Sequence, residues 1–186
     1  MTTDKVRLRI VKAPVCPAIS EFALFEEPAW ARAGNNSIGL NLGRSKSKWK
    51  IARASYATPG GGQARNAIDG DPNTLWHTRG PDGEKAQPQE IVIDLGEDVA
   101  VKGFLYLPRR DGTTRGTVDR YEFYASADGK AWGEPVAKGE FANVKSNPIQ
   151  QTVALKRPAT AHFIRFVALH SADGNNVTVA ELGLLR

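Results

Sequence analysis

At 186 residues, with 41% hydrophobic residues, 18 glycines and 11 prolines, the chain can bury one core of ordinary size plus an appendage, and it is too turn-rich for long helices. Its charge of +5 and pI near 9.4 come from 25 basic residues spread among 20 acidic ones, which argues against the concentrated basic face of a nucleic-acid surface. The single cysteine, Cys16, excludes an intrachain disulfide and a cysteine-only zinc site. No apolar run has the length of a bilayer span or the form of a secretory leader, so the chain as it stands reads as soluble.

Val6-Arg-Leu-Arg-Ile-Val11 and Ser20-Glu-Phe-Ala-Leu-Phe25 alternate apolar and polar residues as half-buried strands do, and are expected to pair. The arrangement recurs near the other end in His162–Val167 and Ala180–Leu185, with Arg7 matching Arg165 and Glu21 matching Glu181. The repetition predicts that residues 1–27 are the closing strands of one sandwich preceding another; the alternative is a chance likeness between two amphipathic hairpins. Residues 28–47 carry turn formers without periodicity and read as a linker. From 44 to 53 the basic residues Arg44, Lys46, Lys48, Lys50 and Arg53 fall at nearly alternate positions, which fits the solvent face of a strand with Trp49 turned the other way.

The segment Ala67-Ile-Asp-Gly-Asp-Pro-Asn-Thr-Leu-Trp-His77 compresses oxygen ligands, turn formers, a core aromatic and an imidazole into one loop. Asp69, Asp71 and Thr74 offer hard oxygens, while Gly70 and Pro72 fold the backbone so that carbonyls also face inward. A calcium ion suits such a set; an ordinary turn between strands is the other reading. Beyond it, short alternating strands are predicted at Glu90–Leu95, Ala100–Leu107, Arg120–Ser126, Gln150–Leu155 and the terminal pair. Gly96-Glu-Asp, Ala127-Asp-Gly-Lys and Lys156-Arg-Pro stand at turns. The fold class is all-β, an antiparallel β-sandwich or jelly roll, with function on the loops at one end.

Several motifs in order now carry a resemblance: Asn66-Ala-Ile-Asp-Gly-Asp-Pro-Asn-Thr-Leu-Trp-His-Thr, Ile91-Val-Ile-Asp-Leu-Gly, Tyr106-Leu-Pro-Arg-Arg-Asp-Gly, Tyr121-Glu-Phe-Tyr-Ala-Ser-Ala-Asp-Gly-Lys-Ala-Trp, Ile164-Arg-Phe and Ala180-Glu181. Together, over residues 48–186, they resemble the discoidin or factor V/VIII type C domain, and within it the family 32 carbohydrate-binding modules of galactose-binding-domain-like fold. Residues 1–27 resemble the end of the sandwich that follows the catalytic barrel in family 29 α-L-fucosidases. The resemblance implies a structural calcium held by the carbonyl of Ala67, Asp69, Asp71, Thr74, the carbonyl of Ala180 and Glu181. It also implies a sugar site at His77 and Arg109, with Arg110, Asp111 and Arg115 on the rim and His170 as a weak stacking group. An imidazole and a guanidinium suit the axial and equatorial hydroxyls of a galactose-type sugar.

The chain departs from that family in two places. Thr113-Thr-Arg115-Gly stands where an Asn-Gly pair often supplies an amide, and an arginine cannot accept a hydroxyl proton. The loop from His170 to Val177 lacks Phe, Tyr and Trp. No closely spaced carboxylate pair or Ser-His-Asp arrangement points to catalysis in this chain. The expectation is a non-catalytic module for glycans with terminal galactose-type sugars, joined to an upstream fucosidase-like catalytic domain and working outside the cell or in the periplasm. It is not expected to bind nucleic acid or to insert into a membrane. A structural spacer with a decayed pocket and a protein or lipid adhesion domain are the competing readings.

Overall fold

A computed structural model describes residues 46–56, 62–80, 83–84 and 87–185. The proposed closing strands 1–27 and most of the linker, residues 28–45, lie outside the described residues. The strands are β1 Lys50–Ala54, β2 Trp76–His77, β3 Arg79–Gly80, β4 Gly83–Glu84, β5 Gln89–Leu107, β6 Val118–Ser126, β7 Ala137–Glu140, β8 Gln151–Ser171, β9 Thr178–Val179 and β10 Glu181–Leu185. The one helical element among the described residues is the 3₁₀ turn Ala64–Ala67.

The architecture is the expected antiparallel sandwich. The first half of β5 pairs with β1 and with the second half of β8, which in turn pairs with β6, and β6 with β7. The second half of β5 pairs with β10 and with the first half of β8. Two long strands therefore pass from one layer into the other. This corrects the reading of Gly96-Glu-Asp and Lys156-Arg-Pro as turns between separate strands: both stretches are bends within continuous β5 and β8. The ladder absorbs them through shifts of register between Asp94 and Val99 and between Val101 and Gly103. Gly96 allows the first bend, with φ at +71°.

Aromatic rings join the layers. Phe104 of β5 stacks on Phe123 of β6 with centroids 4.4 Å apart, and Tyr106 stacks on Phe166 of β8 at 5.7 Å. Trp49 is buried as expected, but the basic residues do not form one solvent face opposite it: β1 begins only at Lys50, and the Lys46 side chain is 8% exposed with its ammonium 5.7 Å from the Trp49 ring centroid. Trp76 is buried too, and its indole N–H donates to the Tyr56 carbonyl at 2.5 Å. Strand alternation then carries the next residue, His77, away from the core.

Candidate functional site

Three loops are bonded together at the end of the sandwich where β6 begins and β8 finishes. The first follows β2, the second spans 108–117 and the third 172–177. The Thr78 N–H donates to the Val177 carbonyl at 3.1 Å, the Gly116 N–H to the Asp173 carbonyl at 2.7 Å, and the Ala172 N–H to the Thr117 carbonyl at 2.8 Å. The Val177 N–H returns a bond to Thr78 Oγ1 at 2.8 Å. Main-chain bonds between loops hold their side chains in a fixed relation, which a binding constellation needs.

Arg109 is gripped on three sides. Its Nε and Nη2 donate to the two carboxylate oxygens of Asp111 at 2.7 and 2.5 Å, and its Nη1 donates to the Arg115 carbonyl at 2.9 Å. These bonds use three of the five N–H groups of the guanidinium, and the side chain is 13% exposed. The bond from Arg109, more than any other influence, holds the Asp111 carboxyl below the usual carboxylate range. The Arg115 carbonyl also accepts from Thr178 Oγ1 at 3.2 Å. Thr178 lies directly across the β2–β9 ladder from His77. The structure thus brings His77, Arg109 and Arg115 to one place, through a threonine that sequence reasoning did not single out.

Arg110 and Arg115 are exposed on this end. Asp111, expected as a rim contact, spends both oxygens on Arg109 and acts as its clamp. His170, expected in a loop, sits within β8 opposite Arg120, because the β6–β8 pairing continues to Val118 and Ser171. Its Nδ1 lies 2.7 Å from Asp119 Oδ1. Beneath the loops Tyr106 is fully buried. Its hydroxyl accepts the Val118 N–H at 2.9 Å and donates to the Thr178 carbonyl at 3.3 Å, and burial pushes its pKa up. It pins the start of β6 to β9, directly under the site.

The oxygen-rich loop forms a second centre. Thr74 Oγ1 donates to Asp69 Oδ2 at 2.8 Å and the Asp71 N–H to Asp69 Oδ1 at 2.9 Å. The Gly70 N–H donates to Glu181 Oε1, so the loop is tied to the start of β10. The other oxygen of Glu181 takes an ion pair from Lys46, with the two side chains only 8% and 1% exposed. Burial pushes Lys46 down and Glu181 up, and each counters part of the other's shift. No group of three or more His, Cys, Asp or Glu side chains gathers for a metal among the described residues. A cation here would therefore lean on carbonyls and a hydroxyl as well as on Asp69 and Glu181. Such oxygens are of the hard kind that calcium takes, and both Glu181 oxygens are engaged here, one by the Gly70 N–H and the other by Lys46.

The fold is an antiparallel β-sandwich with a bonded cluster of loops at one end. The chain belongs to the F5/8 type C domain family, whose family model matches residues 50–182. It is similar to a galactose oxidase of Gibberella zeae, 32% identical over 152 residues, 76% of this chain and 20% of that protein. A sialidase of Micromonospora viridifaciens is 37% identical over 123 residues, 65% of this chain and 18% of that protein. The chain thus spans about a fifth of the length of these relatives. Among solved structures, the family 32 module of Clostridium perfringens NanJ in complex with galactose superposes with a TM-score of 0.65 at 30% identity, covering 75% of this chain and 94% of that one. The CpGH89CBM32-5 module from Clostridium perfringens, in complex with GalNAc-β-1,3-galactose, gives 0.68 at 28% identity, covering 76% and 97%.

Proposed function

We propose that this chain is a non-catalytic carbohydrate-binding module for glycans ending in galactose-type sugars, working outside the cell as part of a larger glycoside hydrolase. The observation that carries the reading is Arg109, held by Asp111 and by the Arg115 carbonyl, which also accepts from Thr178, the residue opposite His77 on the β2–β9 ladder. Fixed donors of this kind select hydroxyl geometry without the cost of ordering a free side chain. The galactose and GalNAc-β-1,3-galactose complexes of its structural neighbours support the ligand class. The likeness of residues 1–27 to the closing strands of family 29 enzymes supports an α-L-fucosidase as the parent.

We propose further that Ala67, Asp69, Asp71, Thr74, Ala180 and Glu181 hold a structural calcium, which adds a bond between the loop and the last strand. A melting temperature that falls with a chelator and returns with calcium supports this site; one indifferent to both removes it. The sugar reading is tested by calorimetric titration with galactose and GalNAc-β-1,3-galactose, using Arg109→Ala and His77→Ala as controls. Binding lost in both variants, with melting temperature kept, is the expected result. No binding by the unaltered chain would favour the spacer reading, which the lack of Phe, Tyr and Trp from 170 to 177 supports. Binding to anionic liposomes alone would favour adhesion.

A further inference from the structure

We propose that the Lys46 ammonium is a built-in rival of calcium at the oxygen-rich centre: it holds Glu181 when calcium is scarce, and calcium binding expels it toward solvent. The inference rests on the calcium reading above and adds to it the residue that sets how much calcium the centre demands.

Glu181 satisfies one cation at a time. Its side chain is 1% exposed, and a carboxylate so buried is tolerated only against a positive charge or a full set of donors. One of its oxygens accepts the Gly70 N–H and the other takes the Lys46 ammonium. Asp69, whose oxygens accept from the Asp71 N–H and the Thr74 hydroxyl, adds to the attraction that Lys46 feels. The lysine therefore draws on the same negative charge that a metal between Asp69 and Glu181 would use. Calcium gathers about six to eight oxygens at about 2.3–2.6 Å. An ammonium bonded to one of those oxygens would face a doubly charged ion across a few ångströms, in surroundings that screen poorly.

The lysine is the partner that can leave. Its charge sits at the end of a flexible four-carbon stem, the residue stands at the entry to β1, and Ser47 and Lys48 beside it are exposed. The Trp49 N–H donates to the Lys46 carbonyl at 2.9 Å, so the backbone turn has its own bond when the side chain swings out. Asp69 and Asp71 are exposed, which gives the ion a route from solvent. The buried Trp49 ring, with its centroid 5.7 Å from the ammonium, loses a cation from its surroundings in the exchange, and its fluorescence reports the loss.

The test is amine acylation of the whole chain, in chelator and in saturating calcium, mapped residue by residue by mass spectrometry. Lys46, 8% exposed, should be protected in chelator and modified in calcium, while Lys48, 61% exposed, is modified in both. Trp49 fluorescence should shift over the same calcium range. In calorimetry Lys46→Met is expected to bind calcium about tenfold tighter or more than the unaltered chain, the size of the charge-assisted bond that the ion no longer has to break. The labelling arm needs no substitution, so it decides between outcomes even where the variant unfolds. Calcium bound with Lys46 still protected overturns the inference and leaves the calcium reading standing, as does equal calcium affinity with and without the lysine. Calcium bound by Lys46→Met and not by the unaltered chain upholds the rivalry and removes the calcium reading for the unaltered chain. Calcium bound by neither overturns both.

Discussion

Replacing Asp111 separates the clamp from the hand it holds. In Asp111→Ala the Arg109 guanidinium loses two of its three fixed bonds and keeps the one to the Arg115 carbonyl. The stability cost is moderate: the Asp111 side chain is 49% exposed, but Arg109, which is left without two of its bonds, is only 13% exposed, so a loss of about 1–3 kcal/mol is expected. The binding cost is separate: a released arginine must be reordered on the ligand, at about 0.5–1.5 kcal/mol, which is about two- to tenfold in Kd. Asp111→Asn, which keeps one acceptor oxygen, should fall between Asp111→Ala and the unaltered chain. Titration calorimetry with a galactose-terminated disaccharide, beside thermal melts, measures both quantities. The pH dependence follows in sign. Arg109 lowers the folded pKa of Asp111, so the clamp is fully present above the unfolded carboxylate pKa and is lost only as pH falls through the lower folded value. Affinity should therefore persist into acid below the ordinary carboxylate range in the unaltered chain, and the feature should vanish in Asp111→Ala. An unchanged Kd in Asp111→Ala, or a loss no greater than its unfolding explains, would refute the argument.

Gly116→Ala should weaken sugar binding and lower the unfolding midpoint in urea, since φ is +80° there and an added Cβ would meet Asn176 Nδ2 at 2.5 Å; forcing that backbone costs about 1–3 kcal/mol. Tyr106→Phe leaves the buried Val118 N–H and Thr178 carbonyl without the hydroxyl they share, so urea denaturation should show a loss of about 1–3 kcal/mol. Lys46→Met strands the Glu181 carboxylate in a site where it is 1% exposed, a loss of up to about 3–5 kcal/mol. The double variant Lys46→Met/Glu181→Gln should recover part of that loss in the same melts. Arg109→Lys should lose affinity about tenfold or more with little change in melting temperature, because a lysine cannot reproduce the planar three-way grip.

Much of the fold was legible because its signals are local. Tyr121–Phe123 alternates and buries every second residue, whereas Ile91–Ile93 and Phe104–Leu107 are unbroken apolar runs buried on both faces where the expectation was alternation; the Trp76–His77 step placed one residue in the core and the next at the rim. The strand count was less legible for a physical reason. Gly96-Glu-Asp and Lys156-Arg-Pro have turn chemistry, but a bulge satisfies the same local preferences while the ladder continues on its neighbours. Whether a chain turns or merely bends is decided by its pairing partner, and that information lies far away in the sequence. The site shows the same limit. Arg109 and His77 carry side chains that advertise binding, yet the acceptor that orients Arg109 is the backbone carbonyl of Arg115, and a carbonyl has no residue-type signature. The Lys46–Glu181 pair spans 135 positions, and neither residue's neighbours point to the other.

The short run from Thr178 to Glu181 connects both centres. Thr178 reaches the sugar end through the Arg115 carbonyl and pairs with His77, while Glu181 receives Gly70 from the oxygen-rich loop and Lys46 from the entry to β1. Between them Ala180 donates its N–H to the Leu107 carbonyl at 3.0 Å, two residues before Arg109. Glu181 is thus held only three residues from the threonine that meets the Arg115 carbonyl and faces His77 across the ladder. The oxygen-rich loop and the loop cluster are therefore tied to one short stretch of chain, each through its own hydrogen bonds.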